Sequence, residues 1–130
     1  MSRPIVVVLD DSQNVARASA DWSKLEARAE LRFLSEAFAS EEAVAAALAD
    51  ADVVIPMRER TVFSGSLIGK LPKLRMIAST GPRTLTLDTA TCTARGILCS
   101  NTGGTQVGAS TAELAFGLIL ASARNLAMAD

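Results

Sequence analysis

The sequence predicts an α/β domain, a parallel β-sheet flanked by helices, and three observations lead there. Short apolar runs rich in Val and Ile alternate with longer Ala-rich segments of helical period, the order in which strands and their covering helices follow one another along a chain. The first run is apolar at every position rather than at every second one, as a strand buried on both faces requires. And 130 residues, 49% hydrophobic and 21% charged, are the length and composition of one folded core.

Ile5 to Asp10 reads as the first strand. A helix is expected from Ala16 to Ala29, with a less regular period than those that follow. Glu30 to Leu34 is the second strand. Ser40 then caps a helix whose first turn carries Glu41 and Glu42 against the positive end of the dipole, with Ala43, Val44, Ala47, Leu48 and Ala51 on one face. Val53 to Met57 is the third strand, and Ser66 to Leu71 a short helix stopped by Pro72. Leu74 to Ser79 is the fourth strand. Asp88 to Arg95 forms a helix capped by Asp88 and ended by Gly96 in the C′ position, and Ile97 to Ser100 is the fifth strand. Ser110 followed three residues later by Glu113 spells a capping box. The helix it opens carries Leu114, Ala115, Phe116, Leu118, Ile119, Leu120 and Ala121, apolar all round. Such a helix needs cover on every side, from a partner subunit or further sequence rather than from its own small domain, which is the other reading.

Composition removes whole classes of function. Thirteen Lys and Arg against fourteen Asp and Glu give a net charge of -1, so no electrostatic footprint for nucleic acid or an anionic membrane is expected. The chain has no His. A Ser-His-Asp triad, a Cys-His pair, an imidazole zinc site and an imidazole general acid are therefore all out of reach. Cys92 and Cys99 lack C-x-x-C spacing and are expected to be buried thiols. No stretch approaches the roughly twenty apolar residues of a membrane span. Five apolar residues, Ile5 to Leu9, are too few for a signal-peptide core, and the expectation is a cytoplasmic protein.

Three constellations could carry chemistry. Asp10 and Asp11 end the first strand like the acidic pair of a receiver pocket, but the acceptor Asp and the Lys of such a pocket are missing, and a turn with a helix cap accounts for them. Gly103 and Gly104 lie in NTGGTQVGAST, either an anion-binding approach to a helix N-terminus or a plain turn. Neither G-x-x-x-x-G-K-[ST] nor G-x-G-x-x-G occurs. Third, Thr80, Gly81, Pro82 and Arg83 follow the fourth strand, and Arg58 follows the third, on the edge where open α/β sheets bind ligands. The planar fork of Arg58 suits a carboxylate, with Arg83 as a second positive group; each could instead be a surface ion pair, Arg58 with Glu59 for example.

Together these residues resemble the D-2-hydroxyacid dehydrogenases, which include D-3-phosphoglycerate, glyoxylate/hydroxypyruvate and formate dehydrogenases. LPKLRMIASTGPRTLTLDTATCTARGILCSNTGG from Leu71 to Gly104 and STAELAFGLILASAR from Ser110 to Arg124 carry the resemblance, and the opening residues fit a branch whose loop reads TGPR or TGMR. The resemblance implies a flavodoxin-like substrate-binding domain over 1–106 and, over 107–130, a crossover helix leading to a Rossmann domain. It implies NAD or NADP as cofactor, a small 2-hydroxy or 2-keto acid as substrate, and a homodimer. By position, Arg58 resembles a residue near the substrate carboxylate, and Thr80, Gly81 and Pro82 a loop whose backbone N–H groups hold it. Thr111 resembles a residue lying against the nicotinamide, while Glu113 looks structural.

This sequence departs from the family where Arg83 replaces a second glycine and Leu85 an Asp or Asn. The family's G-x-G-x-x-G and its catalytic Arg, acidic residue and His would lie beyond position 130, so the resemblance implies an N-terminal part, inactive alone, of a longer enzyme. The rival expectation is a stand-alone flavodoxin-like binding module without catalysis.

Overall fold

A computed structural model describes residues 3–82, 84–103 and 109–124. Five parallel strands form one sheet: β1 (Ile5–Leu9), β2 (Glu30–Phe33), β3 (Val53–Pro56), β4 (Met76–Ser79) and β5 (Leu98–Asn101), in the order β2-β1-β3-β4-β5. Val7 lies between Arg32 and Val54, and Ile77 between Val54 and Cys99. This is the flavodoxin-like order, in which the chain reverses direction across the sheet between β1 and β3. All five expected strands are present. The fourth begins two residues late at Met76 and the fifth is shifted by one residue, because Leu74 and Ile97 plug the core just ahead of the ladder.

The helices are α1 (Ala16–Ser19), α2 (Ser23–Glu26), α3 (Glu41–Leu48), α4 (Gly65–Gly69), α5 (Thr89–Ala94) and α6 (Ala109–Ala123). Ser40 caps α3 by accepting from the N–H of Ala43, and Asp88 caps α5 by accepting from that of Thr91. Gly96 takes φ +67° beyond α5, the left-handed cap that a Cβ would strain. The short helix opens at Gly65 rather than Ser66, since Ser64 is the cap and accepts from the N–H of Leu67 at 3.1 Å. A Cβ on Gly65 would stand 2.9 Å from both Asp88 Oδ2 and Thr91 Oγ1. That glycine lets α4 and α5 meet.

The single helix expected over Ala16 to Ala29 is two pieces. Ala20 is extended, with φ -149° and ψ 158°, and the Asp21 carboxylate accepts from the N–H of Ser23 at 3.0 Å. An Asp that hydrogen-bonds the backbone two residues on competes with continuing a helix and restarts one instead. Trp22 then turns back, donating its indole N–H to the carbonyl of Ala16 at 3.0 Å and meeting the Phe33 ring edge-on at 5.4 Å.

Side chains alternate across the sheet. Val7, Leu9, Val54 and Ile77 face a dry layer made by Val44 and Leu48 of α3, Leu67 and Ile68 of α4, Cys92 of α5, and Phe63. Burial pushes the Cys92 thiol up to about 12, as an apolar surround does to a group that would ionise. Cys99 departs from expectation, being only partly buried at the edge of this layer. Ser110 lies inside α6 rather than capping it. The helix stands open, with Leu114, Phe116, Leu118, Ile119 and Leu120 each 59 to 68% exposed. Among the described residues no helix is long and apolar enough to cross a membrane.

Candidate functional site at the carboxyl ends of the strands

Parallel strands bring their carboxyl ends to one edge, so the loops after β1, β3 and β4 converge. Asp10 ends β1 in the left-handed region, φ 66°, and its buried carboxylate accepts from Thr61 N–H at 3.2 Å and Thr61 Oγ1 at 3.0 Å. Arg60 donates to the carbonyl of Asp10 at 2.7 Å and to Ser12 Oγ at 2.5 Å. Asp11, also buried, accepts from the N–H groups of Val15 and Ala16, each at 3.0 Å, and so caps α1. Both carboxylates are thus spent on fixing loops, the role sequence assigned to them.

The loop after β3 is clamped from several sides. Besides the Asp10 contacts, Glu59 accepts from the N–H of Leu85 at 2.8 Å, and among the described residues it makes no ion pair with Arg58. Arg58 has φ 69°, a conformation that costs a side-chain-bearing residue roughly 1–2 kcal/mol. Its N–H donates to Thr80 Oγ1 at 3.1 Å, and that hydroxyl donates in turn to the carbonyl of Pro56 at 3.2 Å. Arg58 is therefore held beside the loop after β4 by its backbone. Its guanidinium is exposed and has no hydrogen-bond or ion-pair partner among the described residues.

Of the site residues read from sequence, Arg58 and Thr80 are brought together, and Gly81 and Pro82 continue from Thr80. The loop offers fewer donors than the resemblance implied. Thr80 N–H is directed to the carbonyl of Pro56 at 3.3 Å, and proline has no N–H. Gly81 alone of the three keeps an amide donor without a partner among the described residues, and a Cβ built on it meets nothing within 4 Å. Arg83 and Gly104 lie outside the described residues. Thr111 is exposed on α6, with no hydrogen bond to the loop among the described residues.

A cleft of about 370 Å³ opens beside Arg58 and Thr80, over Val8 of β1 and Ile55 of β3, and Trp22 lines it. Sequence reasoning missed Trp22, because the helix expected there gave its ring no direction. It also missed Asp10 and Thr61 as partners, since they are 51 residues apart and no local signal joins them. The described residues alone do not hold a whole nicotinamide dinucleotide: the sequence has no G-x-G-x-x-G to cradle a pyrophosphate, and Thr111 offers one hydroxyl.

Residues 6–127 match the D-isomer specific 2-hydroxyacid dehydrogenase catalytic domain. The chain belongs to that family. It is similar to a D-3-phosphoglycerate dehydrogenase from Mycobacterium bovis, 28% identical over all of this chain and 23% of that one. Among solved structures it resembles a phosphoglycerate oxidoreductase from Vibrio cholerae O395, 27% identical, with a TM-score of 0.75 over 92% of this chain and 37% of that one. A D-lactate dehydrogenase from Aquifex aeolicus, solved with NAD and lactic acid, shares the fold at 18% identity and a TM-score of 0.63, over 90% of this chain and 33% of that one. The chain thus spans well under half the length of these relatives, and its membership of the 2-hydroxyacid dehydrogenases is membership through their catalytic domain.

Proposed function

We propose that this chain orients the substrate of an NAD(P)-dependent D-2-hydroxyacid dehydrogenase. The carboxylate of a 2-hydroxy or 2-keto acid binds between the Arg58 guanidinium and the Gly81 N–H. The observation that carries this reading is the backbone hydrogen bond that fastens a left-handed Arg58 to Thr80. A strained cation without an internal partner at the edge of a doubly wound sheet is the arrangement a bound anion would stabilise. Arg58 supplies a planar fork that charge-assisted hydrogen bonds make directional, and Gly81 supplies an amide that no Cβ shields. Holding the acid in one orientation is this domain's share of catalysis.

The nicotinamide, NAD or NADP, supplies the hydride chemistry and is held mainly by residues outside this chain; the NAD-bound relative supports a nicotinamide cofactor. In this reading residues 1–106 are the substrate-binding domain, and 107–130, which contain α6, lead to a nucleotide-binding domain and a homodimer partner that cover the apolar sides of that helix, in a cytoplasmic enzyme. The test is NMR on the 130-residue chain titrated with D-lactate and with pyruvate. The Gly81 amide and the Arg58 Nε–H should shift together and saturate with one constant. Shifts confined to other residues would overturn the reading. The chain alone should produce no reduced nicotinamide from lactate, glycerate or phosphoglycerate, and turnover by it would contradict the division of labour proposed.

A further inference from the structure

The cleft beside Arg58 carries information about the acid's side chain. Val8, Ala16, Ala20, Trp22, Ile55 and Met57 line it, together with Ser19, Arg58 and Thr80. Apart from the Arg58 guanidinium, the side-chain polar groups that line it are already committed. The indole N–H of Trp22 goes to the carbonyl of Ala16, Ser19 Oγ donates to the carbonyl of Val15 at 2.7 Å, and Thr80 Oγ1 donates to that of Pro56. The ring of Trp22 therefore presents carbon. Neighbouring cations are committed as well: Arg17 lies over the Phe33 ring at 4.4 Å and pairs with Glu26 at 3.1 Å, and Arg60 is bound to Asp10 and Ser12. Arg58 is the one cation among the described lining residues, enough for one carboxylate.

Resting on the carboxylate reading given above, we propose that this site takes 2-keto and 2-hydroxy acids with an apolar, branched side chain, which lies in the cleft against Trp22, in preference to phosphorylated ones. A carboxylate at Arg58 leaves the rest of the substrate beside carbon. Methyl and methylene groups gain from that burial, whereas a phosphate would lose its water there with no uncommitted side-chain donor beyond Arg58 to replace it among the described lining residues. The volume, about 370 Å³, is at the lower end of ligand pockets, which run to roughly 300–1,000 Å³.

Trp22 makes the test direct, being the one Trp in a chain without Tyr. Its fluorescence is followed while the 130-residue chain is titrated with pyruvate, 2-ketoisocaproate and 3-phosphohydroxypyruvate, in the natural sequence and in Arg58→Gln and Ala20→Leu variants. The branched acid should shift the emission and bind at least about tenfold more tightly than either other acid. Ala20→Leu, which narrows the cleft at an exposed position, should weaken the branched acid more than pyruvate. Binding that Arg58→Gln abolishes but that favours the phosphorylated acid, or treats all three alike, overturns this inference and leaves the carboxylate site standing. If no acid shifts Trp22, or Arg58→Gln leaves binding intact, the carboxylate site itself fails and the inference with it.

Discussion

The two faces of the sheet are made from the same kinds of residue and end in different states. On one, Val7, Leu9, Val54 and Ile77 are sealed under α3, α4 and α5. On the other, exposure grows across the strands: Val8 of β1 is 0% exposed beside α1 and Trp22, Ile55 and Ala78 are half-buried, and Leu98 of β5 is 62% exposed. Hydrophobicity cannot tell these faces apart, since Val, Ile and Leu occur on both; the helices that follow the strands decide which is closed. The closed face holds the fold together. The open face keeps room for the cleft and is where the ligand reading lives.

The same substitution made on each side of the sheet would break that comparison if it were wrong. Leu48→Ala removes a side chain of α3 from the closed layer and should lower stability by about 2–5 kcal/mol in urea unfolding. Leu98→Ala, on the open face, should stay within about 0.5 kcal/mol. Equal losses would mean that the open face is as well packed in solution. Ser40→Ala, which removes the cap of α3, should cost about 1 kcal/mol. Arg58→Gly should do the reverse: release from the left-handed backbone is worth up to about 1 kcal/mol after the flexibility glycine adds to the unfolded chain. Thermal melts should show the gain for Gly and not for Ala, while both variants lose acid binding. A stabilised variant that no longer binds would locate strain and function in one residue.

Much of this was legible in the residues. The strands could be placed because β1 and β3 are short runs of Val and Ile and the rest are short segments set between helical ones, and the caps of α3 and α5 because Ser40, Asp88 and Gly96 act on neighbours three residues away or fewer. The break at Ala20 was not legible. Asp21 reads equally well as a helix surface residue until Trp22 is seen turning back onto Phe33, a contact set by β2. The site divided in the same way. Arg58 and the loop from Thr80 could be named from strand ends and a resemblance, but the clamps that position them, Asp10 with Thr61 and Glu59 with Leu85, join residues far apart in sequence. That Gly81 is left as the loop's donor follows from where Thr80 N–H points, which only the backbone shows.

The smallest effect expected is an acid sensitivity on the closed face's rim. Glu41, in the first turn of α3, accepts from Lys70 Nζ at 2.7 Å, Ser66 Oγ at 2.6 Å and Ser64 Oγ at 2.9 Å. Lys70 foremost, then the two serines, holds its carboxyl at about 2, below the ordinary 4.5. A carboxylate with a depressed folded-state value contributes stability that is complete above its unfolded value and is lost as pH falls through the folded one. The melting temperature should therefore decline between 4.5 and about 2, with part of that decline absent in Glu41→Gln, and salt should shrink the difference because the pair is solvent-facing. Identical pH profiles for the two proteins would show that Lys70 does not hold Glu41 in solution. The tie between α3 and α4 would then rest on Val44, Leu48, Leu67 and Ile68 and on the longer Lys70–Glu42 pair at 3.3 Å, and the closed face would owe its closure chiefly to apolar contact.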